Sequence, residues 1–161
     1  MSTQATDTSV GTSVVVEVSQ ERAFRLFTEE IGSWWDPAHH LLEGELAEMV
    51  FEPRAGGHIY DKGVDGSECR WSRVLAYDPP DRVVFSWDIS PQWQIETELD
   101  RTSEVEVRFI AETDERTRVE LEHRNLDRHG PGWESARDGV AADQGWPLYL
   151  QRYADLVANE S

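Results

Sequence analysis

Few side chains in this sequence can move a proton or hold an ion, and His123 leads them. It ends the run Thr117 to His123, where Val119, Leu121 and His123 alternate with charged residues, so it shares the covered face with the two aliphatics. A histidine there can orient a ligand hydroxyl or carbonyl, act as a general base, or sit in the core satisfied by a backbone carbonyl. Asp143 lies at the edge of the inward stripe of the last helix. It would either form an acid–base dyad with His123, fixing the imidazole tautomer and raising its pKa, or cap the helical segment that follows. His58 and Tyr60 share one face of a short strand and present an imidazole and a phenol to a cavity or to solvent. The glycine turn before them leaves that parity open. His123, Asp143 and Tyr60 are thus the candidates for catalysis.

Other chemistries lack their partners. His39 and His40 with Glu43 have no third ligand at a defined spacing, so no metal is expected. Gly56, Gly57 and Gly63 are followed by neither a Lys-Ser/Thr pair nor a helix start and do not make a phosphate loop. There is no Gly-x-Ser-x-Gly elbow, and Cys69 has only Arg70 nearby to lower its pKa. Nucleophilic catalysis is therefore poorly supported, and no cofactor is expected.

Composition narrows the partners. Thirty-two acids against 15 bases give a formal charge of −17, and Lys62 is the one lysine. That field repels phosphate backbones and anionic headgroups, which argues against nucleic acid and membrane surfaces. No run approaches the roughly 20 apolar residues of a membrane span. The single cysteine and the absence of an N-terminal apolar run point to the cytoplasm. Seven tryptophans in 161 residues exceed what a core of this size commonly needs, and a wide apolar cavity would use the surplus.

The elements that must position these residues follow from periodicity. Residues 1–12 read as a disordered tail and 13–159 as one domain. Ser13 to Val18 is a β-branched strand, and Ser19 caps a helix with Ala23, Phe24, Phe27 and Ile31 inward, stopped by Gly32. On the turn that follows, one of Trp34 and Trp35 is expected in the core and the other at a rim. From Glu45 the pattern becomes period two, with strands over Ala47–Glu52, His58–Asp61, Glu68–Tyr77, Arg82–Ile89, Glu104–Glu112 and Thr117–His123. Arg108 with Glu120, or Glu106 with Arg118, would pair across the wet face of the last hairpin.

Gly139 to Ala158 is expected to be helical, with Trp146, Tyr149, Leu150, Tyr153, Leu156 and Val157 on its buried side. Pro147 either kinks this helix or begins a new one. Toward its start the inward positions are Gly139 and Ala142, a bare half that would leave room for a pocket.

Four stretches carry a resemblance: Pro53-Arg54-Ala55-Gly56-Gly57, Asp78-Pro79-Pro80-Asp81-Arg82-Val83-Val84-Phe85-Ser86-Trp87, Leu121-Glu122-His123 and Gly145-Trp146-Pro147. In this order and spacing they resemble the activator-of-Hsp90-ATPase homologue family, within the START-like or Bet v 1-like superfamily that includes polyketide cyclases. The resemblance implies an α+β helix-grip fold, a curved sheet of about seven antiparallel strands wrapped around a long C-terminal helix with an apolar cavity between. It does not carry Hsp90 activation, which in that family goes with a further N-terminal domain.

The resulting expectation is a domain that binds a small, mainly apolar molecule, aromatic or lipid-like. Its walls would be Trp34, Trp35, Tyr60, Trp71, Trp87, Phe109, Leu121, Trp146, Tyr149 and Tyr153, with His123, Tyr60 or Asp143 as polar contacts. A cyclase or dehydratase acting on a ketone-bearing substrate is the alternative. A third reading is a stress- or chaperone-associated protein whose acids Glu96, Glu98, Asp100, Glu104 and Glu106 meet a basic partner. An exposed sheet edge with an outward Trp34, Trp93 or Trp133 would give a homodimer its contact.

Overall fold

The period-two segments resolve into seven antiparallel strands in the computed structural model, which describes residues 8–35, 45–91, 94–96, 98–142 and 145–160. They are β1 (Val10–Val16), β2 (Leu46–Phe51), β3 (His58–Gly63), β4 (Glu68–Asp78), β5 (Arg82–Trp87), β6 (Ser103–Thr113) and β7 (Arg116–Arg124). Strands β2 to β7 form a meander in sequence order, and β1 returns to pair with β7, so β1 and β2 are the edges. The sheet curls into a half-barrel with the helices on its concave side, an α+β helix-grip arrangement. Val105, Val107 and Phe109 of β6 and Val119, Leu121 and His123 of β7 all face that side and are buried. Strand β1 begins three residues inside the expected tail, because Val10 to Thr12 pair in register with His123 to Leu121.

Two short helices close the far side of the core. In α1 (Gln20–Glu29) the Ser19 hydroxyl accepts from the Arg22 amide at 3.3 Å, and Ala23, Phe24, Leu26 and Phe27 are buried. Gly32 does not stop this helix. The break falls at Glu30, and Gly32 lies inside a separate turn, α2 (Ile31–Trp34). That turn also overrules the expected division between the two tryptophans, since Trp34 and Trp35 are both buried. The Trp34 indole donates to the Phe27 carbonyl at 3.2 Å, while Trp35, already extended, swings toward the last helix.

The C-terminal segment is two helices, α3 (Trp133–Ala141) and α4 (Trp146–Glu160). Pro147 sits in the first turn of α4, where its missing amide hydrogen costs no helical bond, so it belongs to a fresh start and not to a kink. Gly145 is required at the junction: a Cβ there would run into the Val140 carbonyl. The inward side of α4 is Trp146, Tyr149, Leu150, Tyr153 and Val157, and Leu156 is half-buried. The bare half behaves otherwise than expected. Gly139 and Ala142 are exposed, and α3 turns Val140 inward, so the missing side chains open onto solvent and not onto the sheet.

The Tyr153 hydroxyl donates to the Ala23 carbonyl at 2.7 Å and the Arg152 guanidinium to the Trp34 carbonyl at 2.8 Å, which fixes α4 against α1 and α2. On the convex face Arg108 meets Glu120 at 3.6 Å, as the register requires. Glu106 instead takes Arg82 at 3.0 Å and Arg124 at 2.7 Å, and Arg118 takes Glu112 at 2.9 Å.

Candidate functional site

Rings from four elements converge under the start of α4. Trp35 lies at the end of α2, Trp71 on β4, Trp87 on β5, and Trp146 and Tyr149 on the first turn of α4. Trp35 stacks on Tyr149 with centroids 4.3 Å apart and an interplanar angle of 18°. Trp71 bridges Trp35 at 5.3 Å and Trp87 at 5.7 Å, and Trp87 reaches Trp146 at 5.6 Å and the His123 ring at 5.3 Å. These edge and offset geometries suit the ring quadrupoles and make a continuous apolar wall with one imidazole in it. Trp34, Phe109 and Tyr153 belong to a second cluster around Phe27, at 4.8, 5.6 and 5.3 Å from its ring. Leu121 is buried beside His123's strand neighbours on β7. A groove of about 420 Å³ between α2 and β2, lined by Gly32, Trp35, Leu46 and Met49 among others, brings the surface to Trp35.

His123 is fully buried and both of its ring nitrogens are engaged. Nδ1 accepts from the Trp146 indole at 3.0 Å, and Nε2 lies 2.7 Å from the Ser103 hydroxyl. An indole nitrogen only donates, so Nδ1 must carry no proton and the neutral ring is protonated on Nε2, which donates to Ser103. Burial, reinforced by the neighbouring His129, pushes the His123 pKa down to about 3. Near neutral pH this side chain is an uncharged, fully occupied link between sheet and helix. It is a poor general base, and as a core histidine it is satisfied by side chains, not by the backbone carbonyl that the core reading named.

Ser103 and His129 are the residues that sequence reasoning missed. The Ser103 hydroxyl also lies 2.7 Å from His129 Nε2, and both residues are buried. Ser103 is detectable by parity, since it precedes Val105, Val107 and Phe109 by steps of two. His129 ends a 3₁₀ turn (Leu126–His129) after β7, where no periodicity marks it; Asn125 enters that turn with φ 62°.

The other candidates fall elsewhere. Ile59 and Asp61 of β3 are the buried residues, so His58 and Tyr60 point to the convex side. There the Arg70 guanidinium lies 4.5 Å from the Tyr60 ring centroid, and the His58 amide donates to Glu52 at 2.7 Å. Tyr60 is therefore neither a cavity wall nor a partner of His123; the inward Asp61 is charged and the outward Tyr60 aromatic, which hides this parity from the sequence. Asp143, the His39, His40 and Glu43 cluster, and Trp93 lie outside the described residues. The Cys69 thiol is pushed up in pKa by burial and by the charge of Asp61, which disfavours the thiolate. Of the acids read as a docking surface, Glu104 and Glu106 are both ion-paired with Arg124, at 3.2 and 2.7 Å. Trp34 is buried and offers nothing to a dimer, while Trp133 is half-buried beneath the Arg137 guanidinium, 5.1 Å from its centroid.

Comparison with known proteins gives three kinds of likeness. The family model for activator of Hsp90 ATPase homolog 1-like proteins matches residues 17–158. An anthrahydroquino-γ-pyrone synthase, Txn09, solved as a complex, is 40% identical, with 92% of this chain and 96% of that one covered and a TM-score of 0.65. CalC from Micromonospora echinospora, a self-sacrificing resistance protein, is 28% identical, with 96% and 97% covered and a TM-score of 0.69. Protein MLL2253 from Mesorhizobium loti, at 18% identity and a TM-score of 0.68 with 95% and 98% covered, shares the fold. No curated protein matches the chain. No helix among the described residues is long and apolar enough to cross a membrane.

Proposed function

The chain belongs to the activator-of-Hsp90-ATPase homologue 1-like family, and on that premise we propose that it binds a small, polycyclic aromatic molecule between its sheet and the start of α4. The observation that carries this reading is the continuous packing of Trp35, Trp71, Trp87, Trp146 and Tyr149 from four separate elements, with Trp87 and Trp146 reaching one buried imidazole. Such a wall offers flat apolar surface at low side-chain entropy cost, with hydrogen-bonding groups at one end to set orientation. The groove that reaches Trp35 is the side from which a planar molecule would slide between the rings.

A second reading, cyclisation of a ketone-bearing substrate, is favoured by the 40% identity to a synthase that makes a pyrone. His123 at a pKa of about 3 does not supply a general base for it at neutral pH. The protein's contribution in that reading is to fold the substrate and hold its oxygens, so proximity carries the rate. Thermal-shift titration against aromatic polyketides, flavonoids, sterols and fatty acids tests binding. A ligand at a hundred times its dissociation constant adds about 2.7 kcal/mol. Incubating the best binder and following product by mass spectrometry separates carrier from cyclase: an unchanged mass and isomer pattern removes the second reading. A panel in which only sterols or fatty acids shift the melting point removes the aromatic one.

A further inference from the structure

The polar chain Trp146–His123–Ser103–His129 has a direction, and it ends on an atom without a partner. Nδ1 of His129 is buried and has no hydrogen-bond partner among the described residues. The direction is set at the other end. The indole of Trp146 can only donate, which leaves the His123 proton on Nε2 and makes Ser103 Oγ the acceptor of that bond. The serine hydroxyl then has its own proton to place, and His129 Nε2 at 2.7 Å is the acceptor in reach. His129 is thereby held with Nε2 bare and its proton on Nδ1, so the unpartnered atom is a donor. A buried donor left unmet is costly, and native structures rarely leave one so.

We propose that His129 Nδ1–H is the contact for an acceptor oxygen on the ligand, a ketone, quinone or pyrone carbonyl. This rests on the reading of the aromatic wall as a ligand site, and it assigns the ligand a carbonyl-bearing class. Two hydrogen bonds of 2.7 Å link the His129 ring through Ser103 to the His123 ring, whose centroid is 5.3 Å from that of Trp87 in the aromatic wall. Burial lowers the His129 pKa, against the pull of Glu96 and Asp88 and with the push of Arg101, so the ring stays neutral. The chain is a tautomer lock and not a proton wire. Replacing a proton lost from His129 would leave His123 to be recharged by an indole, which does not give up its hydrogen. His129 therefore polarises a carbonyl by hydrogen bonding without transferring a proton.

Fluorenone and fluorene test this, because they share a tricyclic frame and differ in a carbonyl oxygen. The wild type should bind fluorenone about tenfold more tightly than fluorene. His129→Leu should bring that ratio near one, and His129→Gln, which keeps an amide donor, should retain part of the preference. Equal affinities, or a ratio untouched in His129→Leu, overturn the carbonyl contact while the aromatic site stands. Failure of both compounds to bind removes the site and the contact together. Nitrogen-15 shifts of the imidazole rings test the lock without a ligand: the proton should be on Nδ1 in His129 and on Nε2 in His123. A proton on Nε2 of His129 overturns the proposal outright.

Discussion

The first residue of α4 and the buried histidine of β7 are joined by one hydrogen bond, from the Trp146 indole to His123 Nδ1 at 3.0 Å. That bond fixes three things together: where the helix meets the sheet, which tautomer His123 adopts, and how the Trp146 ring stands against Trp87. Its consequences are separable by experiment.

Trp146→Phe keeps an aromatic ring but removes the donor and leaves His123 Nδ1 buried and unmet. Loss of the bond together with the smaller ring should destabilise the domain by about 2–4 kcal/mol in urea unfolding. A change below about 0.5 kcal/mol would mean that helix and sheet are not coupled through this pair.

The depressed pKa of His123 makes stability depend on pH in a defined direction. Burial holds the folded-state value at about 3 against 6.5 for the free side chain. The unfolded chain therefore takes up the proton first as the pH falls. The stability linked to this group is complete above about pH 6.5 and is lost progressively toward pH 3, by on the order of 5 kcal/mol in full. In His123→Gln the unfolding midpoint should fall less steeply than in the wild type between about pH 7 and pH 4. Parallel slopes would show that His123 is not buried as a neutral ring.

Tyr60 and His58 serve as internal controls. Because they face the convex side, Tyr60→Ala and His58→Ala should leave ligand affinity within twofold of wild type, while Trp87→Ala, which removes a wall, should weaken it more than tenfold. Isothermal titration calorimetry with the best-binding compound reads both. A loss on Tyr60→Ala comparable to that on Trp87→Ala would place the site on the other face.

Much of this architecture is legible in the chain because alternation is a strong signal where one face is wet. Val105, Val107, Phe109, Val119, Leu121 and His123 declare their face directly. The same rule fails on β3, where the inward Asp61 is charged, the outward Tyr60 is aromatic and a glycine turn precedes His58, so hydrophobicity marks neither face. The Gly145-Trp146-Pro147 junction is visible as a break, but its kind depends on the Val140 carbonyl packed against Gly145, a tertiary contact. The surplus of tryptophan points to an aromatic wall without saying which rings meet. Trp35 stacks on Tyr149 and Trp34 packs on Phe27, while the two neighbours still touch each other at 5.6 Å, so the short helical turn makes them a bridge between two parts of one core. His129 was out of reach for a plainer reason: it lies in a loop, and loops carry no period.

A ligand held between the sheet and the start of α4 would lie against Trp146 and Trp87. Tryptophan indole N–H signals report on this directly, so the most direct measurement is a proton–nitrogen correlation spectrum of the seven indoles with and without saturating fluorenone. The Trp146, Trp87 and Trp71 signals should move while that of Trp133, stacked under Arg137 on α3, stays in place. Movement confined to Trp133, or no movement at saturating binding, would contradict that placement.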